Sequence, residues 1–232
     1  MRGSILAIGD IHGCDVALAT LLDGIGVTTE DTVVVLGDLI DRGPNSRGVI
    51  DRLIQLSRTV KLIGICGNHD EMLLHSLEQG SPRLLWIGAG AIATLNSYGG
   101  DLSAIPHEHI EFLKSLRDYW QTETHIFVHA NVEPDIPMEQ QRIAFMRWSK
   151  LQGDEIRHCS GKTVICGHTS LASGVPALCD GFICIDTKAY GGLWLTCLDV
   201  ENELVWQSSE AGELRGPFPL REIATPFQLS EG

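Results

Sequence analysis

Residues 32–43 read TVVVLGDLIDRG, and this stretch decides the fold. A run of β-branched and aliphatic residues ends abruptly in a glycine, and charged groups follow at once. Such a run, too short for a helix and bounded by glycine, is a buried strand. The same event precedes and follows it. SILAI at 4–8 ends at Gly9-Asp10 in GDIHG, and KLIGIC at 61–66 ends at Gly67-Asn68 in GNHD. Between these strands the apolar residues fall on one helical face, as Val16, Leu18, Leu21 and Leu22 do, and GVIDRLIQL and EMLLHSLEQ also read as helix. Strand alternating with helix predicts parallel pairing and an α/β fold. In open parallel sheets, functional groups gather beyond the carboxyl ends of the strands. The three clusters are therefore expected along one edge.

Residues 80–122 differ in character. They hold Trp86, the small-residue stretch GAGAIATLNSYGG and the helical segment PHEHIEFLKSLRDYW. We read them as a helical, cap-like insertion over one end of the sheet, within a single domain of residues 1–208. Strands return with HIFVHA, TVICGH, GFICID and LWLTCLDV, and the last forms a hairpin with LVWQ. So many strands call for two sheets. The tail at 209–232 carries Pro217, Pro219 and Pro226 and has no period. It is expected to lie along the surface or fray.

The 232 residues are 44% apolar and 20% charged, an ordinary globular composition with enough apolar surface for one core. The net charge of -13 argues against a nucleic-acid partner, which calls for a basic face. The seven cysteines form no C-x-x-C pair and several lie in apolar runs, so free thiols in a reducing cytoplasm are expected. The apolar run before Asp10 is too short for a signal peptide, and no stretch reaches membrane-spanning length, so no membrane partner is expected.

Five polar clusters carry the chemistry: GDIHG at 9–13, GDLIDRG at 37–43, GNHD at 67–70, VHA at 128–130 and GHT at 167–169. A lone Asp or His after a strand is usually a turn residue. Five clusters, all at strand ends, are not explained that way. Mixed oxygen and imidazole donors suit Mn, Fe, Zn and similar divalent ions, with Mn the first expectation. Asp10 and His12 can reach one ion. Asp38 has two carboxylate oxygens and is the natural bridge. Asn68, His129 and His168 then complete a second ion. Two ions about 3.5–4 Å apart share a hydroxide and clamp a phosphoryl group.

These motifs resemble the calcineurin-like metallophosphoesterases from about residue 4 to residue 200, and GDLIDRG resembles their PPP-type phosphoprotein phosphatase branch. Compact bacterial serine/threonine phosphatases and symmetrical diadenosine tetraphosphatases are the nearest in pattern. The resemblance implies a four-layer α/β/β/α sandwich with the site at the top of two sheets. It implies one ion on Asp10, His12 and Asp38, and another on Asp38, Asn68, His129 and His168. It implies that His69 is the general acid, Asp41 its carboxylate partner and Arg42 a phosphate-binding arginine. Arg147 in FMRWSK resembles another phosphate arginine, with a plain surface charge the equal alternative. In IDTKAYGG at 185–192, Lys188 and Tyr190 are candidates to touch substrate, with a plain loop position the weightier reading. The phosphoprotein branch carries arginine immediately before GNH[DE], whereas Cys66 stands here. Diadenosine tetraphosphatases also lack that arginine, yet they replace the aspartate of DRG, and Asp41 is present.

The function expected is hydrolysis of phosphoserine and phosphothreonine esters by a metal-bridging hydroxide, on a phosphoprotein or a small phosphorylated substrate. The alternative is a dinucleoside polyphosphate hydrolase. A non-catalytic metal-binding scaffold is the remote third reading.

Overall fold

The structure is a computed structural model and describes residues 3–227. Three β-α units open the chain in the expected order. They are β1 (Ile5–Ile8), α1 (Asp15–Ile25), β2 (Thr32–Val35), α2 (Ser46–Ser57), β3 (Lys61–Gly64) and α3 (Asn68–Gln79). The strands pair in parallel, Ile5 with Thr32 and Thr32 with Lys61. The unbroken apolar run around β2 has a physical cause. Val33 and Val35 face the helices, while Val34 and Leu36 face a second sheet. Both faces are covered, so no position is left for the polar half of an alternating pattern.

Three further helices follow: α4 (Leu84–Ala89), α5 (Ala91–Ser97) and α6 (His107–Lys114). α5 and α6 lie against α2, and α4 lies against α3. Residues 80–114 thus widen the helical layer beside the first sheet, and only a few of them reach the strand ends. The helical reading of residues 107–120 runs too far. It gives way at β4 (Tyr119–Gln121), which pairs antiparallel with β5 (His125–Val128) as an edge strand of the second sheet.

The second sheet has six strands in the order β12 (Thr225–Pro226), β7 (Ala177–Cys179), β8 (Phe182–Cys184), β6 (Thr163–Cys166), β5, β4. α7 (Ile143–Trp148) precedes β6, and β7 and β8 form a hairpin. The chain then returns to the first sheet through β9 (Leu195–Asp199) and β10 (Leu204–Ser208), the expected terminal hairpin. Ala7, Val34, Ile63, Phe127, Ile165 and Leu198 are buried between the sheets.

The four-layer sandwich is present, with an uneven outer layer. Six helices cover one sheet, while α7 and long loops cover the other, where Ile126, Val128, Val132, Met146 and Val164 are buried. The reading of the tail is corrected by the structure. β11 (Leu214–Pro219) adds to β10, a short helix α8 (Leu220–Ile223) follows, and β12 (Thr225–Pro226) adds to β7. The C-terminal segment therefore supplies an edge to both sheets, where prolines are tolerated. Residues 228–232 of that tail lie outside the described residues.

Candidate dinuclear metal centre

The strand ends converge, and the backbone there is contorted. His12, Asp38, Asp41, Arg42 and His168 all adopt positive φ, between 46° and 73°. Non-glycine residues rarely do so, and the strain persists only where the surroundings impose it. Gly37, at φ 98°, lets β2 turn beneath His129, where a side chain would meet that imidazole.

Asp38 is buried at the centre. Its Oδ2 lies 3.4 Å from His12 Nε2, and its Oδ1 lies 3.4 Å from His129 Nε2. The ring nitrogens are oriented from behind. His12 Nδ1 donates to the Ile40 carbonyl and His129 Nδ1 to the Leu36 carbonyl, each at 2.8 Å. Each Nε2 therefore presents a lone pair to the carboxylate. Asn68 Oδ1 stands 3.0 Å from His129 Nε2. His168 Nε2 donates to the Trp148 carbonyl at 3.1 Å, which leaves its Nδ1 free. Two sets of ligand atoms cluster, one from His12, Asp38 and His69, the other from Asp38, His129 and His168.

Convergent lone pairs are what a cation site requires, and carbonyl-oriented imidazoles are its usual support. Burial pushes His12 and His168 down to about 3 and lowers His129, so all three are neutral and able to ligate. Asp38 stays ionised. Burial opposes its charge, but the imidazoles around it and the His69 amide outweigh that cost. Burial and then neighbouring carboxylates raise Asp10 well above the ordinary range, and burial raises Asp70 to about 8 and Asp186 to about 6. A divalent cation would relieve that crowding. The residues present fit two such ions. Asp10 falls in neither cluster: both its oxygens accept from the His168 amide at 3.1 Å.

His69 Nδ1 donates to Asp41 Oδ2 at 2.6 Å. Asp41 in turn accepts from Trp86 Nε1 at 2.8 Å and from Thr94 Oγ1 at 2.6 Å. The insertion thus reaches the site by holding the Asp41 carboxylate. His69 rises above its ordinary pKa. Burial works the other way, but Asp38 and the Asp41 hydrogen bond prevail. Arg42 extends Nη1 to His12 Nε2 (2.8 Å) and Nη2 to His69 Nε2 (2.9 Å), with its guanidinium 4.7 Å from the centre of the Tyr190 ring. Tyr190 also packs edge-on against His12, so it lines the site. The Lys188 backbone amide donates to Asp186.

Arg147, expected as a further phosphate arginine, is tied elsewhere. Its Nη1 donates to Glu71 and its Nη2 to Asp118, both at 2.5 Å. Each terminal nitrogen thus has one N–H engaged by a carboxylate, and Nε has no partner among the described residues. Cys66 is buried, and its thiol lies within electrostatic reach of the Arg147 guanidinium. Sequence reasoning missed Trp86, Thr94 and Asp186 as contributors. Asp186 carried a signal, an acid directly after the strand run GFICI, while a lone Trp and Thr in helices carry none. Outside the site, His109 and His158 are buried with both ring nitrogens bonded.

A family model described as calcineurin-like phosphoesterase matches residues 3–171. The chain belongs to the calcineurin-like phosphoesterase family. Among curated members, the symmetrical bis(5'-nucleosyl)-tetraphosphatase of Acidovorax ebreus is 46% identical over 72 residues, 31% of this chain and 25% of that protein. The protein of the same name from Nitrosomonas europaea is 31% identical over 143 residues, 59% of this chain and 48% of its own length. The chain thus spans half or less of the length of these relatives. Among solved calcineurin-like folds, a chain provisionally described as a diadenosine tetraphosphatase superposes with a TM-score of 0.67 at 22% identity, covering 93% of each chain. A cold-active protein-tyrosine phosphatase from a psychrophilic Shewanella gives 0.64 at 16% identity, over 94% of this chain and 81% of that one. These two likenesses show the fold.

Proposed function

We propose that this chain hydrolyses phosphoanhydride bonds of dinucleoside polyphosphates at the site centred on Asp38. The observation that carries this reading is the similarity of its motif-bearing segment to proteins named symmetrical bis(5'-nucleosyl)-tetraphosphatases. Charge supports it. An internal phosphate of a polyphosphate chain carries one negative charge, whereas a phosphoserine phosphoryl group is a dianion. Among the described residues the Arg42 guanidinium touches the imidazoles of His12 and His69 directly, while Arg147 has its charge balanced by Glu71 and Asp118. That balance favours the singly charged group.

Asp10, His12 and Asp38 would hold one divalent ion, and Asp38, Asn68, His129 and His168 the other, with Mn the first expectation and Fe or Zn the alternatives. Such ions supply Lewis-acid stabilisation of phosphoryl oxygens and water of lowered pKa. The protein's own groups do the rest. Arg42 pairs its guanidinium fork with phosphoryl oxygens. His69 delivers a proton to the departing oxygen. Asp41, fixed by Trp86 and Thr94, keeps the His69 ring oriented and charged. Free cysteines suit a cytoplasmic setting.

The expected phosphoserine and phosphothreonine activity is the second reading. It is favoured by the buttressed Asp41–His69 pair, because an alkoxide leaving group needs the proton more than a nucleotide does. Turnover of diadenosine tetraphosphate and of a phosphothreonine peptide by Mn-loaded protein separates the two. The account predicts that ADP forms at the higher kcat/KM. Peptide turnover exceeding it would replace the first reading with the second.

A further inference from the structure

Beside the centre, on the side of the second sheet, lies a cavity of about 750 Å³, a size that suits a nucleotide. Its lining includes Lys150, Gln152, Thr169, Ser170, Leu171 and Phe227. The wall is continuous with the site. Thr169 and Ser170 directly follow His168, and Thr169 Oγ1 accepts from the Leu151 amide at 3.0 Å. Lys150 lies two residues after Trp148, whose carbonyl accepts from His168 Nε2 at 3.1 Å.

The composition of the lining selects a ligand. The chain carries a net charge of -13, yet among the described residues no Asp or Glu lines this cavity and one lysine does. The lining combines one lysine, hydroxyl and amide groups, and the apolar Leu171, Ala177 and Phe227 side chains. A cation, hydrogen-bonding groups and apolar surface in one cavity suit the phosphate, sugar and base of a nucleotide.

We propose that this cavity is the subsite for one nucleoside 5'-phosphate end of the substrate, with Lys150 meeting its phosphates and Leu171 and Phe227 meeting its base. The identity of the ligand rests on the proposed polyphosphate hydrolysis. The place of the subsite rests on the cavity.

The test uses Mn-loaded protein, wild type, Lys150→Ala and Ala172→Trp. Ala172 lines the mouth and is exposed, so the indole narrows the cavity without entering the core. Calorimetric titration with ADP is expected to show a Kd raised about tenfold in each variant, which corresponds to about 1.4 kcal/mol. The KM for diadenosine tetraphosphate, taken relative to that for p-nitrophenyl phosphate, is expected to rise by about the same factor. Unchanged ADP affinity in both variants would overturn the subsite and leave the hydrolysis of dinucleoside polyphosphates standing. A wild type that does not cleave the dinucleotide, together with weakened ADP binding in the variants, would overturn the function and keep the subsite. Variants that weaken a phosphopeptide and not ADP would overturn the subsite in favour of a peptide groove.

Discussion

The two oxygens of Asp38 face different imidazoles, His12 on one side and His129 on the other, each at 3.4 Å. A single carboxylate held between two sets of neutral nitrogen ligands is the geometry of a bridge. The proton chemistry is proposed for His69, whose Nδ1 donates to Asp41 although its ring also lies in the cluster with His12 and Asp38. This role has a kinetic consequence. His69→Asn is expected to lower kcat on an alkyl phosphate by about 10²–10⁴-fold. The loss on p-nitrophenyl phosphate, whose leaving group is stable without a proton, should be much smaller, and metal content should not change. Equal losses on both substrates would remove His69 from the role of acid. Most of these residues were legible in sequence because each cluster places its ligands next to one another at a strand end. The partners of Asp41 were not legible. Trp86 and Thr94 lie 45 and 53 positions away, and only the tertiary fold brings them to it. The partners of Arg147 were hidden for a related reason: its local sequence says nothing of Glu71 and Asp118, which hold it in space.

Among the elements, the β-α units were readable because their strands are buried on both faces and their helices have one apolar side. The outer segments obey weaker rules. β4 is three residues long and β12 two, too short to show a period. β11 carries Pro217 and Pro219, which a central strand would exclude and an edge strand accepts. The prolines that suggest a fraying tail are thus compatible with its role at both sheet edges. Its Leu220 is 3% exposed and joins the core between the sheets. Deleting residues 209–232 is expected to cost at least about 1.5–3 kcal/mol from Leu220 alone. Urea denaturation should show a lower midpoint, and an unchanged midpoint would mean that the edge strands contribute nothing.

Over the whole molecule, a net charge of -13 coexists with buried carboxylates crowded around one point. Stability without metal should therefore depend on pH in a definite direction. Asp70, raised to about 8, and His69, also raised, bind protons more tightly folded than unfolded. Their contribution is lost as pH rises through the folded values. His12 and His168, lowered to about 3, act oppositely, but only below the unfolded histidine value near 6.5. Between about pH 6.5 and 8 the losses stand alone. Protein stripped with EDTA should melt at a lower temperature at pH 8 than at pH 6.5, and loading with Mn should abolish the difference. A higher melting temperature at pH 8 in the stripped protein would contradict the charge arrangement. Divalent cations at the centre would relieve the same crowding.

The central claim is that Asp38 joins two ion sites. Metal content of purified, Mn-dialysed protein, measured by inductively coupled plasma mass spectrometry for wild type and Asp38→Ala, tests it most directly. The account predicts two ions per chain in the wild type and loss of both in the variant, with the fold kept by circular dichroism. A folded variant that retains either ion at full occupancy would contradict it.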